Sequence, residues 1–124
     1  MNSDNYFKIK EDARKMYKEI GNVQCPILNN EIIYFSDIGF RHLVYKGKWR
    51  RKIRDQIRRF RILRYAKDVV RLSTKYTYKN IPTETRIVHF WSIRTTFDGF
   101  IIIMIIRQID NGRKHFFSIM DKKI

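Results

Sequence analysis

Acidic residues are scarce in this chain: 12 Asp plus Glu stand against 27 Lys plus Arg, a formal net charge of +15. Such an excess costs self-repulsion and favours polyanionic partners, nucleic acid first, an anionic membrane second and an acidic protein third. Cysteine is nearly absent too. Cys25 stands alone, which excludes an intrachain disulfide and suits a reducing compartment. The longest unbroken apolar run, "FIIIMII", falls far short of the roughly 20 residues of a membrane helix. The opening "MNSDNYFKIKEDARKM" has no apolar h-region, so no secretory signal is expected and the default is a cytoplasmic protein without a membrane partner. A Walker loop, GxGxxG, zinc-finger spacing and GxSxG are all missing. ATPase, dehydrogenase and serine-hydrolase readings therefore lack support, and no cofactor or metal is expected.

What is present suffices for a core. With 124 residues, 44% hydrophobic and 15% aromatic, the chain reads as one folded domain. Residues 4 to 20 place Phe7, Ala13, Met16, Tyr17 and Ile20 near helical spacing, and Gly21 stops the run. "NVQCPILNN" reads as a loop around Pro26, "EIIYF" as a short strand, and Ser36 or Asp37 as the cap of a helix over about 37 to 46, ended by Gly47. From Trp49 a stripe of Ile53, Ile57, Phe60, Leu63, Ala66 and Val70 recurs at steps of three and four, which predicts one long amphipathic helix with a kink near Leu63. Between Arg41 and Arg71 there are 13 Lys or Arg and two Asp.

After Leu72 the pattern turns to strands. "LSTKYTYK" alternates weakly, while "ETRIVHFWSIRTTF", "FIIIMIIRQI" and "RKHFFSIMDK" are rich in β-branched and aromatic residues. The last three are joined through Asp98-Gly99 and Asn111-Gly112, strong two-residue hairpin signals. The expected class is α+β in a single domain over 1–124, with helices over about 1–71 and an antiparallel meander of about four strands over about 72–121.

Two-residue turns fix the faces. One side collects His89, Trp91, Ile93, Phe97, Phe100, Ile102, Met104, Ile106, Gln108, His115, Phe117 and Ile119, and is assigned to the core. The other collects Val88, Phe90, Ser92, Arg94, Thr96, Ile101, Ile103, Ile105, Arg107, Lys114, Phe116 and Ser118. Aromatics, arginines and hydroxyls on one open face suit single-stranded RNA, whose bases stack and whose phosphates seek cations. A one-residue bulge would exchange some of these assignments.

Several residues are candidates for chemistry. His42 and Lys46 share one face if both lie on a helix, a general acid or base beside a cation. The plainer reading of His42 is a half-buried helical histidine making one hydrogen bond. His89 and His115 flank Gln108 and read as core or strand-end histidines, with His115 the reserve acid/base should the faces exchange. Arg94 and Arg107 interrupt an aliphatic face with few acids nearby, which favours an anion. Ser118, Ser92 and Thr96 are ordinary strand residues unless the face carries a site. Lys48, Arg50, Arg51, Arg54, Arg58, Arg61 and Arg107 are the expected nucleic-acid contacts, each neutralised phosphate adding a salt-sensitive increment. A solvated helix face is the bland alternative.

The stretches "FSDIGFRHLVYKGKWRRKIRDQIRRFRIL" and "RKHFFSIMDKK" resemble segments of the barnase–EndoU–colicin–RelE (BECR) group of ribonucleases: the helical histidine segment of its phage-associated and polymorphic-toxin members, and their closing strand. The similarity spans roughly residues 31 to 121. It implies metal-independent RNA cleavage by attack of the substrate's 2′-hydroxyl. It implies His42 as acid or base, Lys46 and Arg94 as phosphate stabilisers, and Ser118 with Thr96 orienting the phosphate or the 2′-hydroxyl. An acidic antitoxin or immunity protein is the partner it implies beside RNA.

The leading expectation is thus an endoribonuclease of toxin type. A non-catalytic RNA- or DNA-binding protein using residues 49–71 and the open sheet face is the alternative, and a membrane-active basic helix ranks last. The enzyme reading requires His42, Lys46, Arg94 and Ser118 to converge in one cleft, and a binding module does not.

Overall fold

The computed structural model describes residues 3–124 and shows an α+β fold. Helix α1 (Ser3–Ile20) buries Tyr6, Ala13 and Tyr17, leaves Phe7 60% exposed, and ends at Gly21 with φ +61°. The expected loop "NVQCPILNN" instead opens as strand β1 (Asn22–Cys25), which pairs antiparallel with β2 (Glu31–Tyr34) across a 3₁₀ turn at Pro26–Leu28. Alternating burial of Val23 and Cys25 explains the strand: two small apolar side chains on one face suffice to dock a short edge hairpin on the core.

Helix α2 (Asp37–Val44) stops two residues short of its expected end, because Tyr45–Lys46 (β3) turns back through Gly47 to pair with Trp49–Arg50 (β4). Trp49 is consequently 80% exposed on this hairpin and not on the helical stripe. The expected long basic helix is also divided. Helix α3 (Ile53–Ile62) is followed by a 3₁₀ turn at Leu63–Tyr65 and then α4 (Ala66–Leu72). The buried residues Ile57, Phe60, Leu63, Ala66 and Val69 recur every three positions. An α-helix drifts off such a spacing, and a 3₁₀ turn with three residues per turn brings the stripe back to the core.

Strands β5 (Tyr76–Pro82), β6 (Ile87–Phe97), β7 (Phe100–Ile109) and β8 (Lys114–Lys123) form the expected antiparallel meander, but the sheet does not end there. Its order is β1-β2-β8-β7-β6-β5, and β2 runs parallel to β8, so a six-stranded mixed sheet replaces a four-stranded one. The parallel contact covers only Ile33↔Lys114 and Tyr34↔His115. Beyond it the edge of β8 is occupied by α2 and α3. Arg59 of α3 donates to the Ile119 carbonyl at 2.7 Å and Arg58 to the Asp121 carbonyl at 3.0 Å, covering acceptors that a bare edge would expose. The core lies between the helices and the inner sheet face, where Ile93, Ile102, Met104, Ile106, Phe116 and Ile119 are fully buried. Between α1 and α3 the buried Gln56 is satisfied by the Tyr6 hydroxyl and by the Arg51 carbonyl. Among the described residues no helix is long and apolar enough to cross a membrane.

The closest approach is at Gly39 of α2. A Cβ there would stand 2.3 Å from the Tyr17 hydroxyl and 2.6 Å from the Phe116 carbonyl oxygen. The latter is sheet backbone and cannot yield cheaply, so Gly39→Ala is expected to destabilise the fold by about 1–3 kcal/mol in urea unfolding. A loss below about 0.5 kcal/mol, the range of surface changes, would mean that α2 is free to shift on β8.

Candidate active site on the open sheet face

The second hairpin keeps the expected register from Phe100↔Lys123 to Ile105↔Ser118, then slips so that Ile106 faces Phe116 and Arg107 faces His115. The expected faces of residues 114–117 are therefore exchanged. Phe116 enters the core with Lys114 on the same side, while His115 and Phe117 join the open face.

The slip completes a row across the open face. Lys79, Phe90, Arg107 and His115 stand directly opposite one another on β5, β6, β7 and β8, and Tyr34 on β2 continues it. The Arg107 Nε–H donates to His115 Nε2 at 3.1 Å, and the guanidinium lies 4.6 Å from the centre of the Phe117 ring. Helix α2 supplies His42, whose ring centre is 4.2 Å from that of Phe117. Arg51 Nε donates to the His42 carbonyl at 2.9 Å and so fixes the end of the helix that carries it. His42, Arg107 and His115 thus gather around one phenyl ring, with Phe90 5.6 Å from Phe117 on the β6 side.

Burial pushes His42 below its ordinary 6.5, and its neighbours Arg107, Arg51, His115 and Arg41 push the same way. Burial likewise lowers His115, followed by Arg107, while a backbone hydrogen bond with Arg113 acts in the opposite sense. Since His115 Nε2 accepts from Arg107, the neutral ring carries its proton on Nδ1. Both imidazoles are unprotonated at neutral pH, beside the Arg107 guanidinium, whose own hold on its proton is loosened by burial and by Arg86. Among the described residues no group of three or more His, Cys, Asp or Glu could hold a metal ion.

The four residues expected to converge do not. Lys46 lies beyond the end of α2 on the exposed β3 and shares no helix face with His42. Arg94 and Thr96 lie four and six residues along β6 from Phe90, about 13 and 20 Å at roughly 3.3 Å per residue, and both are exposed. Ser118 occupies the row next to the histidines, opposite Ile105 and Ser92, where Arg59 Nη1 reaches its Oγ at 3.4 Å. His115, held in reserve, and Arg107, expected only as a nucleic-acid contact, take their places beside His42.

The expected nucleic-acid contacts divide as well. Arg51 and Arg58 are engaged by Asp55 and Asp121, and Arg50 donates to the Tyr6 hydroxyl at 3.1 Å. Arg54 and Arg61 remain exposed on α3, rimming a groove of about 530 Å³ floored by Ile53, Ile57 and Ile62. Lys48 is exposed in the β3–β4 turn. Arg59 was missed; nothing in a stripe of arginines distinguishes the one that reaches a strand edge. Comparison with protein-family models, with curated proteins and with solved structures returns no match to this chain.

Because both histidines bind protons more weakly in the folded protein than in the unfolded chain, the unfolded state takes up more protons as pH falls below about 6.5. Stability should be flat above that pH and decline below it. An NMR titration is expected to place both midpoints under 6.5, and Arg107→Gln to raise both. Midpoints unmoved by that substitution would locate the depressing charge elsewhere.

Proposed function

We propose that this protein is a metal-independent endoribonuclease acting on single-stranded RNA, in the manner of the BECR ribonucleases it resembles. The observation that carries the reading is the meeting of His42 and His115 around Arg107 on an open basic sheet face. Cleavage by the substrate's own 2′-hydroxyl needs a base, an acid and fixed positive charge at the phosphate, and this trio supplies them. His42, the imidazole with the most cations around it, takes the 2′-hydroxyl proton as O2′ bonds to phosphorus. Arg107 turns from His115 to the phosphate oxygens, freeing His115 Nε2. With the phosphate's negative charge beside it His115 takes up a proton from water, and that proton passes to the departing 5′-oxygen as the P–O5′ bond breaks, while the proton taken by His42 returns to water. The products are a 2′,3′-cyclic phosphate and a 5′-hydroxyl. RNA is the required partner, and a charge of +15 also suits rapid capture by an acidic inhibitor protein.

A second reading, an RNA-binding protein without chemistry, is favoured by the failure of Lys46 and Arg94 to join His42. The same face would then hold RNA through Lys79, Arg107 and the Phe90–Phe117 pair.

Purified protein with fluorescent single-stranded RNA in EDTA separates the two. Cleavage ending in 2′,3′-cyclic phosphate, absent on the all-DNA analogue, is expected. His42→Ala and His115→Ala should each lower the rate by about 10²–10⁴, whereas Lys46→Ala, Arg94→Ala and Thr96→Ala should change it by less than about ten-fold. RNA that is bound yet stays intact with wild-type protein would remove the chemistry and leave the binding module.

A further inference from the structure

On the sequence, Trp49 and Ile53 head the apolar stripe that covers the sheet, and the structure takes both off it. Trp49 is 80% exposed on β4, and Ile53 is 46% exposed at the first position of α3. Around them, "KGKWRRKIR" (residues 46–54) carries six cations and no acid. We propose that the β3–β4 hairpin and the start of α3 form a peripheral docking surface for an anionic lipid bilayer. Trp49 and Ile53 enter its headgroup region, and the cations meet its phosphates.

The pairing of the hairpin decides which way its side chains point. Tyr45 stands opposite Arg50, and Lys46 opposite Trp49. Arg50 donates to the Tyr6 hydroxyl of α1, and the Arg41 guanidinium lies 4.6 Å from the centre of the Tyr45 ring. The Tyr45–Arg50 side is thus turned to the helices, and period two sends Lys46 and Trp49 away from them. Ile53 follows four residues on, within about 14 Å of Trp49 along the chain. It also belongs to the groove floored by Ile57 and Ile62 and rimmed by Arg54, Arg58 and Arg61. An apolar seam therefore runs from the hairpin onto α3 with cations along it. Of the six cations, Arg51 is drawn inward by Asp55 and the His42 carbonyl. Lys46, Lys48, Arg50, Lys52 and Arg54 are exposed, and among the described residues none has an acidic partner.

This mixture selects a bilayer over a nucleic acid. RNA would occupy the cations and stack on Trp49, but it leaves Ile53 and the isoleucine floor in water. An anionic interface answers both, since indole settles at the headgroup level and a polybasic segment is drawn to acidic lipid. Long lysine and arginine stems reach the phosphates while the apolar side chains sit deeper. The expectation of no membrane partner rested on the lack of a spanning run, and a peripheral contact needs none.

The full chain is mixed with vesicles of phosphatidylcholine containing about 25% phosphatidylglycerol, and with phosphatidylcholine alone, at about 0.15 M ionic strength. Binding is expected on the anionic vesicles only, with a blue shift of the indole emission and quenching by bromine carried on the acyl chains. Trp49→Phe leaves Trp91 as the sole indole and should remove most of both signals. Trp49→Ser should weaken binding at least about five-fold, and at so exposed a position it spares the fold. Lys46→Gln with Lys48→Gln should cost at least about ten-fold. Lys67→Gln with Lys75→Gln, which takes the same charge from α4 and the segment before β5, should cost less than about three-fold. Equal losses from the two pairs would reduce the attraction to net charge and overturn the assignment. So would quenching that survives Trp49→Phe, absence of binding to anionic vesicles, or a Trp49 signal raised by single-stranded RNA and not by vesicles. None of these readouts involves cleavage, so the docking surface and the ribonuclease stand or fall separately.

Discussion

Between Ile105 and Ile106 the β7–β8 register slips by one, and Phe117 is the residue left over on β8. A regular hairpin would send Phe116 to solvent and His115 into the core. The bulged strand instead buries Phe116 completely, stacked on Phe35 at 5.2 Å and edge-on to Tyr17 at 5.7 Å. The slip exchanges which phenylalanine is buried, Phe116 in place of Phe117, so the apolar terms largely cancel, but leaving an imidazole unpaired in a core costs about 1–3 kcal/mol. A lost ladder hydrogen bond costs about 0.5–1.5 kcal/mol, so the bulge wins. The same slip brings His115 opposite Arg107 and leaves Phe117 as the ring around which His42 and the guanidinium assemble. Core packing and site assembly are one event here, because a period-two strand cannot satisfy Phe116 and place His115 on the open face without it.

The excess of cations is not one uniform surface. Asp55 is shared by Arg51 and Arg59 and Asp121 is taken by Arg58, so part of the basic stretch works within the fold. Half-exposed ion pairs of this kind contribute at most about 1 kcal/mol. Their larger effect is geometric: Arg58 and Arg59 cover strand-edge carbonyls, and Arg51 anchors the end of α2 that delivers His42. Lys46, Lys48, Arg54, Arg61 and Arg94 make no ion pair among the described residues. They supply repulsion in the free protein and attraction for any polyanion, falling off within a Debye length of about 8–10 Å.

Local grammar was legible wherever one residue type forces one conformation. Asp98-Gly99 announced a two-residue hairpin, and period-two apolar residues placed Ile93, Ile102, Met104 and Ile106 inside. Asn111-Gly112 marked the second turn but not its length, since Arg107 facing His115 leaves an odd number of residues in that connection. Events that hinge on long-range pairing were not legible. The parallel contact of β2 with β8 joins residues about eighty apart in sequence, and no local signal marks it. A hydrophobic stripe at steps of three and four fits one helix or two joined by a 3₁₀ turn equally well, and the sheet beneath decided for two. His42 was legible because histidine in a basic helix is chemically conspicuous. Its companion was hidden by a single-residue slip that no local signal marks.

On the ribonuclease reading we propose, the electrostatics of the open face would link binding to chemistry. Burial and neighbouring cations hold both histidines unprotonated in the free protein, which supplies a base but withholds an acid. A phosphate arriving at Arg107 reverses the sign of the local field. It draws the guanidinium off His115 Nε2 and opposes the very charges that had depressed the imidazoles. In the proposed ribonuclease the acid would therefore form only with the substrate seated, and the uncompensated positive charge that weakens proton binding in the free protein would be what recognises the phosphate. Substituting a neutral residue for Arg107 would relieve the depression and lose the phosphate together. In the free protein Arg107 is held by its hydrogen bond to His115 and by the face of the Phe117 ring, and on the proposed reading the phosphate would take the guanidinium over from His115.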